Sequence, residues 1–472
     1  MKKRFLIALS AAAAVALALG GSQASAWQKD PDTAFDPTHI VQQLLAPDVT
    51  LGDEDTTVAG TGTDAVGIDS LTSPPADPAD DDPGHVYFVD NTPMNGDCPA
   101  TPYTTIQAGV NASGPGDTVK VCPGTYPEQV RITGHGHDRL KLESQRPLQA
   151  VIQWPTVESA PLALVDFNTA DHVTFRGFVV TGPFMFAACS PERHEGLLVE
   201  NAFDEHIHHN HITMIKNSVP ALRGCQEGDA VAIGHRVNLC EGIVPGSARV
   251  EHNLIDDYQK NGVAVFNDGS DADVGHNEIT GPIGTVQPHA ASNGVVVLCE
   301  AAAKVDHNKI SKNHFTGSFA LATSGGVIVA IAADSTEVDH NRIFDNDYGV
   351  ETDSQMGLEI SHNDVFLNLT DGIVLCGDPL QGCDQVSQIV VRANDVSDNG
   401  NGGSGGSGIL LVSADSNLLK SNHVDRNGTS AADTTDGLRI DAGSENNEIR
   451  DNHMRDNITH DCHDGSTGTG TA

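Results

Sequence analysis

Basic residues are scarce in this chain. Lysine and arginine number 26 against 64 aspartates and glutamates, a formal charge of −38 at pH 7. Binding to nucleic acid needs basic side chains that displace the counterions of phosphates, so that class of partner is excluded. The same charge repels an unaided polyanionic glycan, and it favours solubility outside the cell or a bound Ca2+. Aromatic residues are only 4% of the chain, which leaves few platforms for stacking sugar rings. Past the first twenty positions no apolar run approaches the roughly 20 residues of a membrane span. The nine cysteines show no zinc-type spacing.

Met1-Lys-Lys-Arg4, an Ala/Leu-rich stretch to Leu19, and Ala24-Ser-Ala26 have the three parts of a secretory signal peptide over residues 1–26. A secreted protein, extracellular or periplasmic, is therefore expected, and its cysteines should form disulfides. Cys376 and Cys383 enclose a short Gly/Pro-containing loop and make the strongest pair, and Cys98 with Cys122 makes a second. Cys189, Cys225, Cys240, Cys299 and Cys462 cannot be connected from sequence, and the odd count leaves a free thiol. Residues 27–84 hold 13 acidic residues and one lysine, and they read as a disordered linker.

From there to about residue 460 one unit recurs. In Asp339-His-Asn-Arg-Ile-Phe-Asp-Asn-Asp-Tyr-Gly-Val and Ser361-His-Asn-Asp-Val-Phe-Leu-Asn-Leu-Thr-Asp-Gly-Ile, an asparagine is followed five residues later by another and then by glycine. Asn210, Asn253, Asn277, Asn308, Asn341, Asn363, Asn394, Asn422 and Asn452 hold the first position, at spacings of 22 to 43. Asn313, Asn346, Asn368, Asn399, Asn427 and Asn457 hold the second. A fixed unit with elastic loops is the pattern of a solenoid. Runs such as Val295-Val-Val-Leu298 are too short for helices and are bounded by turn residues, so the unit is built of strands. Asparagine tolerates the left-handed conformation of a sharp corner and can bond to the next coil's asparagine. Two columns in register predict an all-β, single-stranded, right-handed parallel β-helix over 85–460, with a disordered tail at 461–472. A short helix over Tyr103–Val110 is expected to cap its N-terminal end, because an open solenoid end would polymerise.

The segment Gly116-Asp-Thr-Val-Lys-Val-Cys-Pro-Gly-Thr-Tyr-Pro-Glu128 resembles the opening coil of the pectin-lyase-like β-helix superfamily, and the His-Asn-x-Ile units resemble its repeats. The resemblance implies a protein that acts on or binds polysaccharide, a lyase, epimerase or hydrolase, or a non-catalytic structural or adhesive relative. It does not extend to a complete enzyme motif. Gly134-His-Gly136 lies too early for a polygalacturonase, no Arg-Ile-Lys follows, and Gln287-Pro-His-Ala290 keeps only the Pro-His of the epimerases' Asp-Pro-His.

A functional site is expected where the repeat breaks its own rule. Ile215, Tyr258 and Pro282 stand where the second column calls for asparagine, and the loops 280–293 and 311–325 are long. Asp256, Asp257, Lys260 and His289 supply acid–base groups there, with Tyr258, Lys312 and His314 to bind substrate. Asp268, Asp271 and Asp273 resemble part of a Ca2+ loop, without its closing glutamate. The row of histidines that precedes the first asparagine column is explained by repetition alone. A monomer is expected.

Overall fold

The computed structural model describes residues 84–92, 98–157, 163–185, 188–189, 194–235, 240, 244–282, 290–315, 324–376, 386–402, 405–428 and 435–466. The signal peptide and, apart from Gly84, the acidic segment lie outside these residues. So does Cys383, the expected partner of Cys376, which is itself disulfide-bonded.

All strand pairing within the sheets is parallel, and from Thr118 to Val412 each sheet takes every third strand in sequence. Sheet 1 has 14 strands starting at Val86–Val89; sheets 2 and 3 have 12 each, starting at Gly124–Tyr126 and Val130–Thr133. The chain therefore visits the three sheets in turn and climbs one strand spacing, about 4.8 Å, per circuit. One coil runs through Ser247–Glu251, Leu254–Asp256 and Asn261–Phe266. Register places like on like: Val263 lies opposite Val295, Val295 opposite Val327, and Val327 opposite Val350. The last strand, Cys462–Asp464, pairs with Leu438–Ile440, inside the stretch expected to be a tail.

The interior changes along the tube. Up to residue 258 it holds Tyr126, Trp154, Phe167, Phe175, Phe178, Phe184 and Tyr258; beyond that its large members are Val, Ile and Leu. A helix, Ile106–Ala112, starts at Thr105, whose hydroxyl accepts the Ala108 N–H at 3.2 Å. It turns Ile106 and Val110 into the core, and Gly109 lets it approach so closely that a Cβ would stand 2.5 Å from Val89.

The asparagine columns are real ladders. Asn308 Nδ2 donates to Asn341 Oδ1 at 3.0 Å, and Asn341 Nδ2 to Asn363 Oδ1 at 3.0 Å. Each Oδ1 also accepts the backbone N–H of the preceding ladder residue, as Asn341 does from Asn308 at 3.0 Å. The second ladder runs from Asn313 to Asn457. The left-handed residue, however, is not the asparagine. It is the residue before it: His209, His252, His276, His307, His340 and His362 have φ between 53° and 57°. An amide that bridges coils must sit inside the bend, so the strained conformation falls on its outward-facing neighbour. Histidine is among the residues that accept this region most readily.

Three disulfides join described residues: Cys98–Cys122, as expected, together with Cys189–Cys225 and Cys240–Cys299. Cys462 is free and exposed. Among the described residues no helix is long and apolar enough to cross a membrane.

Replacing Asn341 by alanine would leave the Asn308 donors and the Val305 carbonyl, now 2.7 Å from Asn341 Nδ2, without partners inside the wall. At about 1–3 kcal/mol per stranded buried group, Asn341→Ala should cost at least about 2 kcal/mol. Chemical denaturation measures this, and a loss below about 1 kcal/mol would deny the ladder a structural role.

Candidate functional site

Most of the groups expected to act together are tied to separate partners. Asp256 ends its strand accepting from the Thr213 hydroxyl and lies 2.9 Å from His211 Nε2. Burial raises its pKa, but His211 and Thr213 outweigh that and hold it below the ordinary range. Asp257 occupies the left-handed corner position, φ 53°, and binds Lys216 Nζ at 2.6 and 2.7 Å. Lys260 is 3% exposed, and its Nζ donates to the Ala291 carbonyl at 2.8 Å. His314 bridges Asp347 at 3.1 Å and Asp345 at 3.3 Å. Lys312 is exposed on the same corner line as Asp257, two coils away, about 10 Å. His289 lies outside the described residues.

Tyr258 is reassigned by its burial. It is 0% exposed, and its hydroxyl donates to Asn313 Oδ1 at 2.6 Å. The ring crosses the coil that has Pro282 at this position and terminates the second ladder, so it is a core residue and no platform for sugar. The suggested Ca2+ ligands do not converge either. Asp268 lies in an exposed turn, while Asp271 and Asp273 face outward along one strand, about 7 Å apart. Arg249 and Lys304 flank Asp273 on the neighbouring strands. Among the described residues, none of the compact His/Asp groups that could hold an ion includes these three.

A different cluster stands on sheet 3. Sheets 1 and 2 alternate buried and exposed residues, but sheet 3 is buried on both faces over strands Asp229–Ile233, Asn261–Phe266, Asn293–Leu298, Gly325–Ala330 and Tyr348–Asp353. Its outer face carries rows of apolar side chains. One row reads Ala232, Ala264, Val296, Ile328, then Glu351, then Val374 and Leu410. A parallel row reads Phe266, Leu298, Ala330, then Asp353, then Cys376 and Val412. A single coil thus replaces apolar groups with carboxyls in two rows at once. Asp347 and Tyr348 precede them on the same coil, and Asp371 follows on the next, behind Tyr348.

Among curated proteins nothing matches the chain. The family described as right handed beta helix region matches residues 242–403. The fold is a right-handed parallel β-helix. Two solved structures share it at low identity. The Dettilon tailspike protein (gp208) is 14% identical over 80% of this chain and 68% of its own, with a TM-score of 0.54. The Agl-KA catalytic domain is 10% identical over 77% of this chain and 64% of its own, with a TM-score of 0.51.

On this β-helix the electrostatics single out Glu351. It is 1% exposed, and Oε2 has no hydrogen-bond donor. An uncompensated buried carboxylate costs several kcal/mol, so the group stays protonated instead. Burial, then Asp353, Asp371 and Asp347, push its pKa up to about 8. Asp371 is pushed up to about 7 by burial, opposed by the Ser407 N–H at 2.6 Å and by Arg439. Burial also raises Asp347, against the pull of His314 and the Phe315 and Ser324 N–H groups. Arg439 in turn is held by Asp441 at 2.7 Å. Tyr348 and Asp371, each 6% exposed, are the part of the cluster nearest to solvent. The arrangement provides one carboxyl, Glu351, that is mostly protonated at neutral pH and a second, Asp371, that is about half ionised there.

Sequence reasoning missed this cluster although the signal was present. Gly349-Val-Glu-Thr-Asp353 interrupts a position that reads Val-Ala-Val-Phe, Val-Val-Val-Leu and Val-Ile-Val-Ala in the three preceding coils. The search for broken repeats followed the asparagine columns and not the strands between them.

Folding favours the protonated form of Glu351, whose pKa rises from its ordinary 4.5 to about 8. The stability this gives is complete below pH 4.5 and is lost as pH rises through 8. Glu351→Gln should therefore flatten the fall in Tm between about pH 5 and pH 9, and should melt above wild type at the alkaline end. Parallel Tm profiles for the two proteins would contradict the assignment.

Proposed function

We propose that this β-helix cleaves glycosidic bonds in a neutral or acetylated polysaccharide outside the cytoplasm, acting as a monomer. Glu351 is the general acid that protonates the leaving oxygen. Asp371 is the second carboxylate, which activates water or attacks the anomeric carbon. The observation that carries this reading is the buried Glu351 carboxyl, whose Oε2 has no donor, standing between Ile328 and Val374 on the outer face with three other acids on neighbouring rows. Burial raises both carboxyls, Glu351 further than Asp371, and the acid is assigned to the higher and the base to the lower. Arg439 supports that division by opposing the effect of burial at Asp371. The acidic surface argues against a polyuronate, whose carboxylates would need bridging cations. Export is supported by the leader and the disulfides.

A panel of neutral, acetylated and uronate polysaccharides, followed by reducing-end release and by absorbance of unsaturated products, tests the reading. Hydrolysis of a neutral or acetylated member is expected, with activity falling as pH rises past about 8. Glu351→Gln and Asp371→Asn should each lower kcat by about 10²–10⁴-fold with unchanged circular dichroism. Silence across the panel would leave a non-catalytic glycan-binding or structural role, and turnover that survives both substitutions would place the catalysis on other residues.

A further inference from the structure

Four compact His/Asp groups occur among the described residues, each with its ligand atoms within 4.8 Å of one another. They differ in whether the imidazoles can face one ion. In His276–Asp306–His307 and Asp339–His340–His362 the two rings stack with interplanar angles of 25° and 15°. Nitrogen lone pairs lie in the ring plane, so those of stacked rings run side by side and do not meet. His135–Asp138–Asp171 brings a single imidazole. The fourth group has neither defect.

The geometry points to a transition-metal site at the C-terminal end of sheet 3, formed by Asp436, His460 and His463. Asp436 and His460 occupy the row that holds Asp371, on successive coils, where backbone bonds from Gly408 to Asp436 and from Gly437 to His460 fix them. His463 stands beside Arg439 on the outer face. His460 Nδ1 lies 2.8 Å from Asp436 Oδ1, and His463 Nδ1 lies 3.9 Å from Oδ2. The two rings cross at 62° with centroids 5.2 Å apart, so both nitrogens turn toward the one carboxylate. That carboxylate is wholly buried, and Oδ2 has no hydrogen-bond donor. Arg439 Nη1 is 3.7 Å from Oδ2, with its Nε drawn away to Asp441.

Two imidazoles and one carboxylate are the donor set that selects Zn2+ over Ca2+ or Mg2+. Three protein ligands leave a fourth position for water or a substrate oxygen, the arrangement of an open site. The free thiol of Cys462 lies in the same coil but outside this group. The site is independent of the role given to Glu351 and holds whether or not the protein is a glycosidase.

The full chain, stripped with EDTA and titrated with Zn2+ against a chromophoric chelator, should bind one ion tightly, and bound Zn2+ should raise Tm. His463→Ala and Asp436→Asn should each weaken that binding at least tenfold and abolish the rise in Tm. His307→Ala and His340→Ala should leave both unchanged. Co2+ in place of Zn2+ should give visible d–d bands without thiolate charge transfer, identical in Cys462→Ser. His463 is partly exposed on the last coil, so its replacement tests the ion without testing the fold. The site is overturned if no Zn2+ is held tightly, if His463→Ala binds like wild type, or if only Cys462→Ser loses the ion.

Discussion

An amide buried at a bend has four hydrogen-bonding capacities to satisfy, and here nearly all are met by the coils above and below. That requirement fixes the rise per coil at the spacing of two hydrogen-bonded strands, because Asn308, Asn341 and Asn363 reach each other only at that distance. It also fixes where variation is allowed. Chain is added at the corner that leads into sheet 3: the long connections at 182–194 and 281–292 come before the second ladder begins, and 312–324 opens on its first asparagine, Asn313.

The same requirement explains how the tube separates stability from chemistry. Sheets 1 and 2 show their outer faces to solvent and need only alternate. Sheet 3 is covered on both faces, so a polar group placed on its outer row is dehydrated without disturbing the core row behind it. Glu351 uses this freedom. Its neighbours in the row are Ile328 and Val374, and nothing in the backbone register shifts to admit it.

How much of this was legible in the sequence follows from how each feature is written there. The ladders were readable because one side chain, asparagine, does one job at a constant position, and Asn308, Asn341 and Asn363 do stand one above another. The residue that bends was misassigned, since His340 and Asn341 are adjacent and only φ tells which carries the strain. Tyr258 was read as an outward aromatic because a broken column looks the same whether the replacement leaves the wall or fills it. Asp256 and Asp257, neighbours in sequence, were taken as a pair, but they face His211 and Lys216. The acids of sheet 3 escaped notice because each belongs to a different row, and rows exist only once the coils are stacked.

The switch from aromatic to aliphatic interior at Tyr258 divides the molecule mechanically. C-terminal to it, thin coils are riveted at two corners by repeated amides. N-terminal to it, the second rivet line is missing, and wide rings, two disulfides and a helix hold the wall instead. Tyr258 is the splice between these two blocks, anchored by its ring in one and by its hydroxyl on Asn313 in the other. Pulled from its ends, such a rod would part at this joint, because it is the place where one kind of fastening gives way to another.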